Sequence, residues 1–223
     1  MTDRGVLVIV SSPSGAGKTT LTRRLIEEFS PQLEFSVSYT TRPMRATEKN
    51  GIDYWFVTPD VFEDMAQANQ FAEHAFVFNN RYGTAQAPID HALAAGHDVI
   101  FDVDWQGGQA LSARWPQDSL KIFVLPPDLE VLERRLRGRA TDTPDVIERR
   151  IRKAKDELGH FNEYQHLIVN DDLDRAYNAM RAIYLTRRYG EVDRADVGHP
   201  LTQLSSQRGD HATAVAHAKS LIG

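Results

Sequence analysis

Five aliphatic residues, Val6–Val10, run into Ser12-Pro13-Ser14-Gly15-Ala16-Gly17-Lys18-Thr19 and then into a helical pattern over Lys18–Phe29. Few local patterns restrict a chain more. An unbroken aliphatic run reads as a strand buried on both faces, which is the habit of parallel sheets. A helix that begins directly after a glycine-rich turn aims its unpaired N–H groups at one spot, and that spot suits phosphate. Gly15 and Gly17 permit backbone conformations and a close approach that a side chain would block. Lys18 adds a point charge for β and γ phosphates, and the Thr19 hydroxyl is a ligand for Mg²⁺. The pattern G-x-x-x-x-G-K-[ST] is met except at its first position, where Ser12 stands. That substitution is harmless if residue 12 needs no positive φ. Ser12, Pro13, Ser14, Gly15, Ala16, Gly17, Lys18, Thr19 and Thr20 are the expected contacts for the phosphates of a nucleoside triphosphate. The competing reading is an ordinary strand–turn–helix corner rich in Ser and Gly, which the combination of buried strand, GKTT and amphipathic helix disfavours.

The rest of the chain alternates in the same way. Apolar runs at Val99–Val103, Ile122–Leu125 and Leu167–Val169 read as further parallel strands. Helices are expected at Asp128–Arg137, at Pro144–Phe161 with Ile147, Ile151, Ala154, Leu158 and Phe161 on one face, and at Asp172–Tyr189. Such alternation predicts an α/β fold with a parallel sheet. Residues 36–84 interrupt the rhythm. Phe35–Tyr39, Tyr54–Val57 and Phe71–Phe78 read as short strands around a helix near Asp60–Ala68, which together suggest an inserted mixed subdomain. After Tyr189 the chain is polar and punctuated by Gly and Pro until a helical stretch, HATAVAHAKSLI.

Composition narrows the classes. At 223 residues there is room for one domain with an insertion or a tail. A net charge of −5 argues against a whole-protein nucleic-acid binder. The chain has no cysteine, which removes disulfides and thiolate metal sites and fits a cytoplasmic location. No apolar run is long enough to cross a bilayer, so no membrane partner is expected. The eight histidines show no zinc spacing, and no G-x-S-x-G elbow occurs.

Asp102 and Asp104 close the pattern DVIFDVD. Residues two apart on a strand share a side, so both carboxylates are expected at the C-terminal edge of the sheet, where α/β proteins bind ligands. One suits Mg²⁺, through water, and the other a substrate. A solvated strand end is the plainer alternative.

Several separated stretches then fall into one order: SVSYTTRPMR, GIDYWF, Glu73 followed by Arg81-Tyr82-Gly83-Thr84, DVDWQGG, RRLRGR and LIVNDDLDRA. Over about residues 5–188 this set closely resembles the guanylate kinases, which phosphorylate GMP with ATP. The resemblance implies a three-layer P-loop core (about 5–35, 85–136 and 158–189), a GMP-binding insertion (36–84), a helical lid (137–157) and a tail (190–223). It implies that Ser38, Arg42, Arg45, Tyr54, Glu73, Tyr82, Gly83, Thr84 and Asp104 bind GMP. It assigns Lys18, Arg45, Arg139 and Arg150 to catalysis, Arg137 and Asn170 to ATP, and Thr19 with Asp102 to Mg²⁺. The chemistry is consistent residue by residue. Arginine forks suit a phosphate, and the hydroxyls of Tyr54 and Tyr82 can donate to it. An ionised Glu73 can accept from guanine N1 and N2 while Ser38 donates to O6, an arrangement that adenine would leave unpaired.

Taken singly, each of these residues has a plainer reading: Arg42 and Arg45 as surface charges, the tyrosines as half-core, Glu73 as a solvated strand residue. The segment from Arg134 to Lys155 carries seven arginines and two lysines against three acids, which alone would also suit a solvated helix face. It holds no aromatic for base stacking. Relative to the family pattern TTRxPRxGE, the sequence here is TTRPMRATE, so Thr47 replaces a glycine and the proline is displaced. Guanylate-kinase-like domains also occur as phosphopeptide-binding scaffolds, which the complete loop and the arginines argue against. A P-loop kinase for another small acceptor is disfavoured by Ser38 and Glu73. A homodimer or higher homo-oligomer is compatible with the sequence.

Overall fold

The structure, a computed structural model, describes residues 4–77, 79–138, 144–190 and 211–222. Two sheets organise the described residues. The larger is built of β1 (Leu7–Ser11), β2 (Leu33–Phe35), β7 (Asp98–Asp102), β8 (Ser119–Leu125) and β9 (His166–Val169), in the order β2-β7-β1-β8-β9. Every pairing in it is parallel.

Strand β1 explains the continuous apolar run. Val6, Val8 and Val10 enter a core with Leu21 and Leu25 of α1 (Lys18–Phe29) and with Met180, Ile183 and Tyr184 of α7 (Leu173–Tyr189). Leu7 and Ile9 enter a separate core on the opposite face, with Ile89 and Leu93 of α3 (Gln86–Ala94) and Leu111 of α4 (Trp105–Arg114). Both faces are covered, so neither parity can be polar. Because α1 follows β1 directly, the turn between them lies at the C-terminal edge of the sheet.

The smaller sheet has the order β4-β3-β6-β5, from β3 (Tyr39–Thr40), β4 (Trp55–Phe56), β5 (Phe71–Val77) and β6 (Asn80–Ala85). It packs on α2 (Pro59–Gln67) through Phe62, which is fully buried against Phe71 with ring centroids 4.4 Å apart. The expected strand Phe35–Tyr39 is in fact two. Leu33–Phe35 pairs with β7 of the large sheet, and Tyr39–Thr40 pairs with β6 of the small one. Residues 36–38 carry the chain between the sheets because Leu33 is buried in the main core whereas Tyr39 packs beside Phe62.

Beyond β8, α5 (Leu129–Arg137) and α6 (Pro144–Leu158) pack as a pair through Leu132, Leu136 and Ala154. The tail returns as α8 (His211–Ile222), whose Ala214, Ala218 and Leu221 cover Phe123, Leu125, Leu158 and Leu167. Among the described residues no helix is long and apolar enough to cross a membrane.

Candidate functional site

The turn between β1 and α1 is a nest of backbone donors. Gly15 has φ 93° and Gly17 φ 96°, left-handed conformations that a side chain would strain. A Cβ on Gly17 would also collide with the Asn170 side-chain amide. Asn170 is buried and donates from Nδ2 to the Ala16 carbonyl (2.7 Å), while its own N–H bonds to Leu125 O (2.8 Å). The end of β9 thereby fixes the shape of the loop. Among the described residues the only non-glycine positions with positive φ are Asn69 and Asn79, so Ser12 needs no glycine. Its hydroxyl donates to Pro13 O instead.

Lys18 reaches Asp102 (Nζ to Oδ1, 2.5 Å) and the Val103 carbonyl (2.9 Å). Thr19 Oγ1 donates to the other carboxylate oxygen of Asp102 at 2.7 Å. These groups line a cavity of about 450 Å³ with Ser12, Pro13, Ser14, Gly15, Gly17, Thr20, Asp104, Arg135 and Glu157. Both expected aspartates are here, but not as strand neighbours. Strand β7 stops at Asp102, and Asp104 is the N-cap of α4, accepting from Gly107 N at 3.0 Å. A cap bonds more helix donors than a further strand residue would.

The small sheet gathers a second cluster. Thr84 Oγ1 donates to Glu73 Oε1 (2.6 Å) and lies 3.4 Å from Ser38 Oγ. Burial raises the Glu73 carboxyl above the ordinary range; the Thr84 bond opposes this and the charge of Asp104 adds to it. Beside Thr84 on β6, Gly83 leaves no room for a side chain, since a Cβ there would lie 2.9 Å from the Phe71 ring and 3.0 Å from Phe62. Nearby, Tyr54 and Tyr82 meet edge to face at 5.9 Å. Burial raises the Tyr54 hydroxyl, with contributions from Tyr82 and from Asp102. The Arg42 guanidinium lies 5.6 Å from the rings of both Tyr54 and Phe56. It forks onto Glu48, which holds its pKa up; the same pair, with the Arg45 N–H, holds the Glu48 carboxyl down. Arg45 is exposed.

The family model for guanylate kinase matches residues 4–186. The chain belongs to the guanylate kinase family. A guanylate kinase of Rhodopseudomonas palustris is 51% identical over 180 residues, covering 81% of each chain. One from Paramagnetospirillum magneticum is 46% identical over 201 residues, 90% of this chain and 94% of that one. The crystal structure of guanylate kinase from Anaplasma phagocytophilum aligns with a TM-score of 0.67 at 29% identity, over 92% of this chain and 96% of that one. The α/β class with a parallel central sheet matches that relative. The reaction of guanylate kinases is ATP-dependent phosphorylation of GMP.

Against the guanylate kinase residues named from sequence, the structure brings two groups together. Ser12 to Thr20, Asp102, Asp104 and Asn170 lie at the loop; Ser38, Arg42, Arg45, Tyr54, Glu73, Tyr82, Gly83 and Thr84 lie on or beside the small sheet. Arg150 is half-buried on α6. Arg137 is paired with Glu133 one turn back along α5 and does not line the cavity. Arg139 lies outside the described residues. Three residues escaped the sequence reading. Arg135 approaches Gly15 O (3.4 Å) and Ala16 O (3.5 Å). Glu157, buried, accepts from Ser14 N at 3.1 Å. Glu48 holds Arg42. For Glu48 a signal existed, an acid three residues after the second of two nearby arginines.

Proposed function

We propose that the chain transfers the γ-phosphate of ATP to GMP, with the loop cavity as the donor site and the small-sheet cluster as the acceptor site. The observation that supports this reading is that a chain of the guanylate kinase family carries both a glycine-loop cavity with Lys18 and Thr19 and a small-sheet cluster of Arg42, Tyr54, Tyr82, Ser38, Glu73 and Thr84. At the donor site, the amides between Ser12 and Thr20 cradle phosphate at the N-terminus of α1, and Lys18 neutralises it. At the acceptor site, Arg42, Arg45, Tyr54 and Tyr82 hold the GMP phosphate, while Ser38, Glu73 and Thr84 read guanine. Asp104, which lines the loop cavity, is assigned to GMP. By sequence position, Arg137, Arg139, Arg150 and Asn170 complete the ATP and transfer contacts.

Mg²⁺ fits the residues present. The Thr19 hydroxyl and the Asp102 carboxylate offer adjacent hard oxygens, 2.7 Å apart. No cluster of three or more acidic, His or Cys side chains that could hold a metal occurs among the described residues, which suits an ion that takes most of its ligands from phosphate and water. When bound, Mg²⁺ offsets charge on the phosphate oxygens. The protein need not supply a general base, since a phosphate monoester with a second pKa of about 6 is largely ionised at neutral pH. Positioning and charge neutralisation then carry the rate, and closing residues 137–157 over the reactants would exclude water as a competing acceptor. A cysteine-free chain with these substrates suits the cytoplasm.

Steady-state ADP formation from Mg-ATP with GMP, AMP, CMP or UMP tests the assignment. Turnover with GMP alone is expected. Turnover with another nucleotide would keep the donor site and discard the guanine reading, and silence with all four would contradict both.

A further inference from the structure

Arg42 is held too tightly for a residue that merely meets an anion. A guanidinium carries five N–H donors. Both donors of one terminal nitrogen are used, one on Pro43 O (2.8 Å) and one on Glu48 Oε2 (3.0 Å). The other terminal nitrogen spends one donor on Glu48 Oε1 (2.7 Å). Beyond these, the Nε donor and one terminal donor form a single edge of the guanidinium. That edge has the spacing of two oxygens of a phosphate. The faces of the guanidinium are flanked by Tyr54 and Phe56. The backbone is pinned as well, since the Arg42 N–H donates to Thr40 Oγ1 (3.1 Å). Side-chain exposures of 14% for Arg42 and 13% for Glu48, against 73% for Arg45, set this pair apart from a surface ion pair.

The Glu48 carboxylate does a second job. Its Oε2 accepts from Arg45 N (2.8 Å) while Glu48 N donates to Arg45 O (3.0 Å), which closes the turn from 45 to 48. Thr47 occupies this turn without a positive φ, so the glycine of the family pattern is dispensable once the carboxylate holds the loop.

We propose that Glu48 is a positioning residue for the phosphate of GMP. It locks the Arg42 fork so that one edge faces the ligand, and it fixes the turn that carries Arg45. This rests on the reading that Arg42 and Arg45 hold that phosphate, a reading the test below can reject separately. Glutamine at 48 keeps the size but presents an amide N–H to a guanidinium, two donors face to face, and breaks the fork.

The test is calorimetric binding of GMP, guanosine and ADP, with steady-state KM values, for wild type, Glu48→Gln, Arg42→Lys and the double variant. Glu48→Gln is expected to weaken GMP about tenfold or more, in line with losing a charged bidentate contact. Guanosine and ADP should bind within twofold of wild type, because neither uses the acceptor phosphate site. In the double variant the two losses should fall well short of adding, since Glu48 acts through Arg42. If Glu48→Gln proves unfolded, Glu48→Asp, which keeps the charge but is one methylene short of both the fork and the turn, should show the same selective loss of GMP. Equal weakening of GMP and guanosine in a folded variant would overturn the proposal, as would simple additivity. A normal GMP affinity in Arg42→Lys would instead sink the reading of Arg42 as a phosphate ligand.

Discussion

The two regions proposed to receive phosphate are built for the same chemical job from opposite materials. The loop after β1 is made of backbone: amides at a helix N-terminus, two left-handed glycines and one lysine. The acceptor cluster is made of side chains on a small mixed sheet, with arginine and tyrosine in place of amides. In both, the cation is already held by a carboxylate, Lys18 by Asp102 and Arg42 by Glu48. The geometry of those pairs differs. Lysine is a point charge that can exchange partners, whereas the arginine keeps one edge on its carboxylate and offers the other. Backbone sites therefore get their precision from fold geometry, and side-chain sites need a second residue to hold the first in place.

The largest effect should come from the donor side. Lys18→Ala is expected to lower kcat by about 10²–10³-fold, the scale of losing one charged transition-state contact, in a protein that stays folded. A kcat within threefold of wild type would break the donor assignment. Next is Arg42→Lys. It keeps the charge but loses the fork, so KM for GMP should rise roughly tenfold while KM for ATP stays within twofold. The same swap in reverse, Lys18→Arg, sharpens the contrast, because a fork has no place where a point charge reaches both phosphate and Asp102.

A smaller effect should appear with pH at Glu73. Its folded pKa is raised by burial, so guanine binding, which requires the ionised form, is full above that raised value and falls as pH drops through it. Guanosine is the clean ligand for this titration, since GMP ionises near pH 6 itself. Glu73→Gln should weaken guanosine about tenfold and flatten the profile. The stability sign is opposite to the binding sign. A group with a raised folded pKa contributes stability below its unfolded pKa and loses it as pH rises through the folded one, so Glu73→Gln should melt higher than wild type at pH 7 to 8. A guanosine profile that keeps its slope in Glu73→Gln would assign the titration elsewhere. The smallest effect is Thr47→Gly, which restores the family residue. KM for GMP should change less than twofold and stability should fall by about 0.5 kcal/mol, because the turn needs no positive φ and glycine only adds freedom to the unfolded chain.

The same contrast explains what the sequence could reveal. The loop and the helix from Lys18 to Phe29 are legible to the residue, because a buried strand, a glycine turn and a helix start constrain one another locally. The small sheet is harder. β6 is polar, and the stretch Phe35–Tyr39 looks like one strand although the two halves serve different sheets. Helix α4 hides behind Gly107 and Gly108, poor helix formers whose purpose is tertiary: a Cβ on Gly108 would lie 2.7 Å from the Tyr164 hydroxyl. Asp102 and Asp104 were both legible as site residues, but a helix cap rather than strand periodicity places the second. Glu48 was within reach of the pattern TTRPMRATE, which it closes, whereas Arg135 and Glu157 act through contacts more than a hundred residues away in sequence, which no local pattern records.

The most direct test of two separately built phosphate sites is calorimetric titration of ADP and of GMP into Lys18→Ala and Arg42→Lys. Crossed losses are predicted: Lys18→Ala weakens ADP and leaves GMP within twofold, and Arg42→Lys weakens GMP and leaves ADP within twofold. Loss of both ligands together in either folded variant would contradict the account, because a single shared site would then be receiving both phosphates.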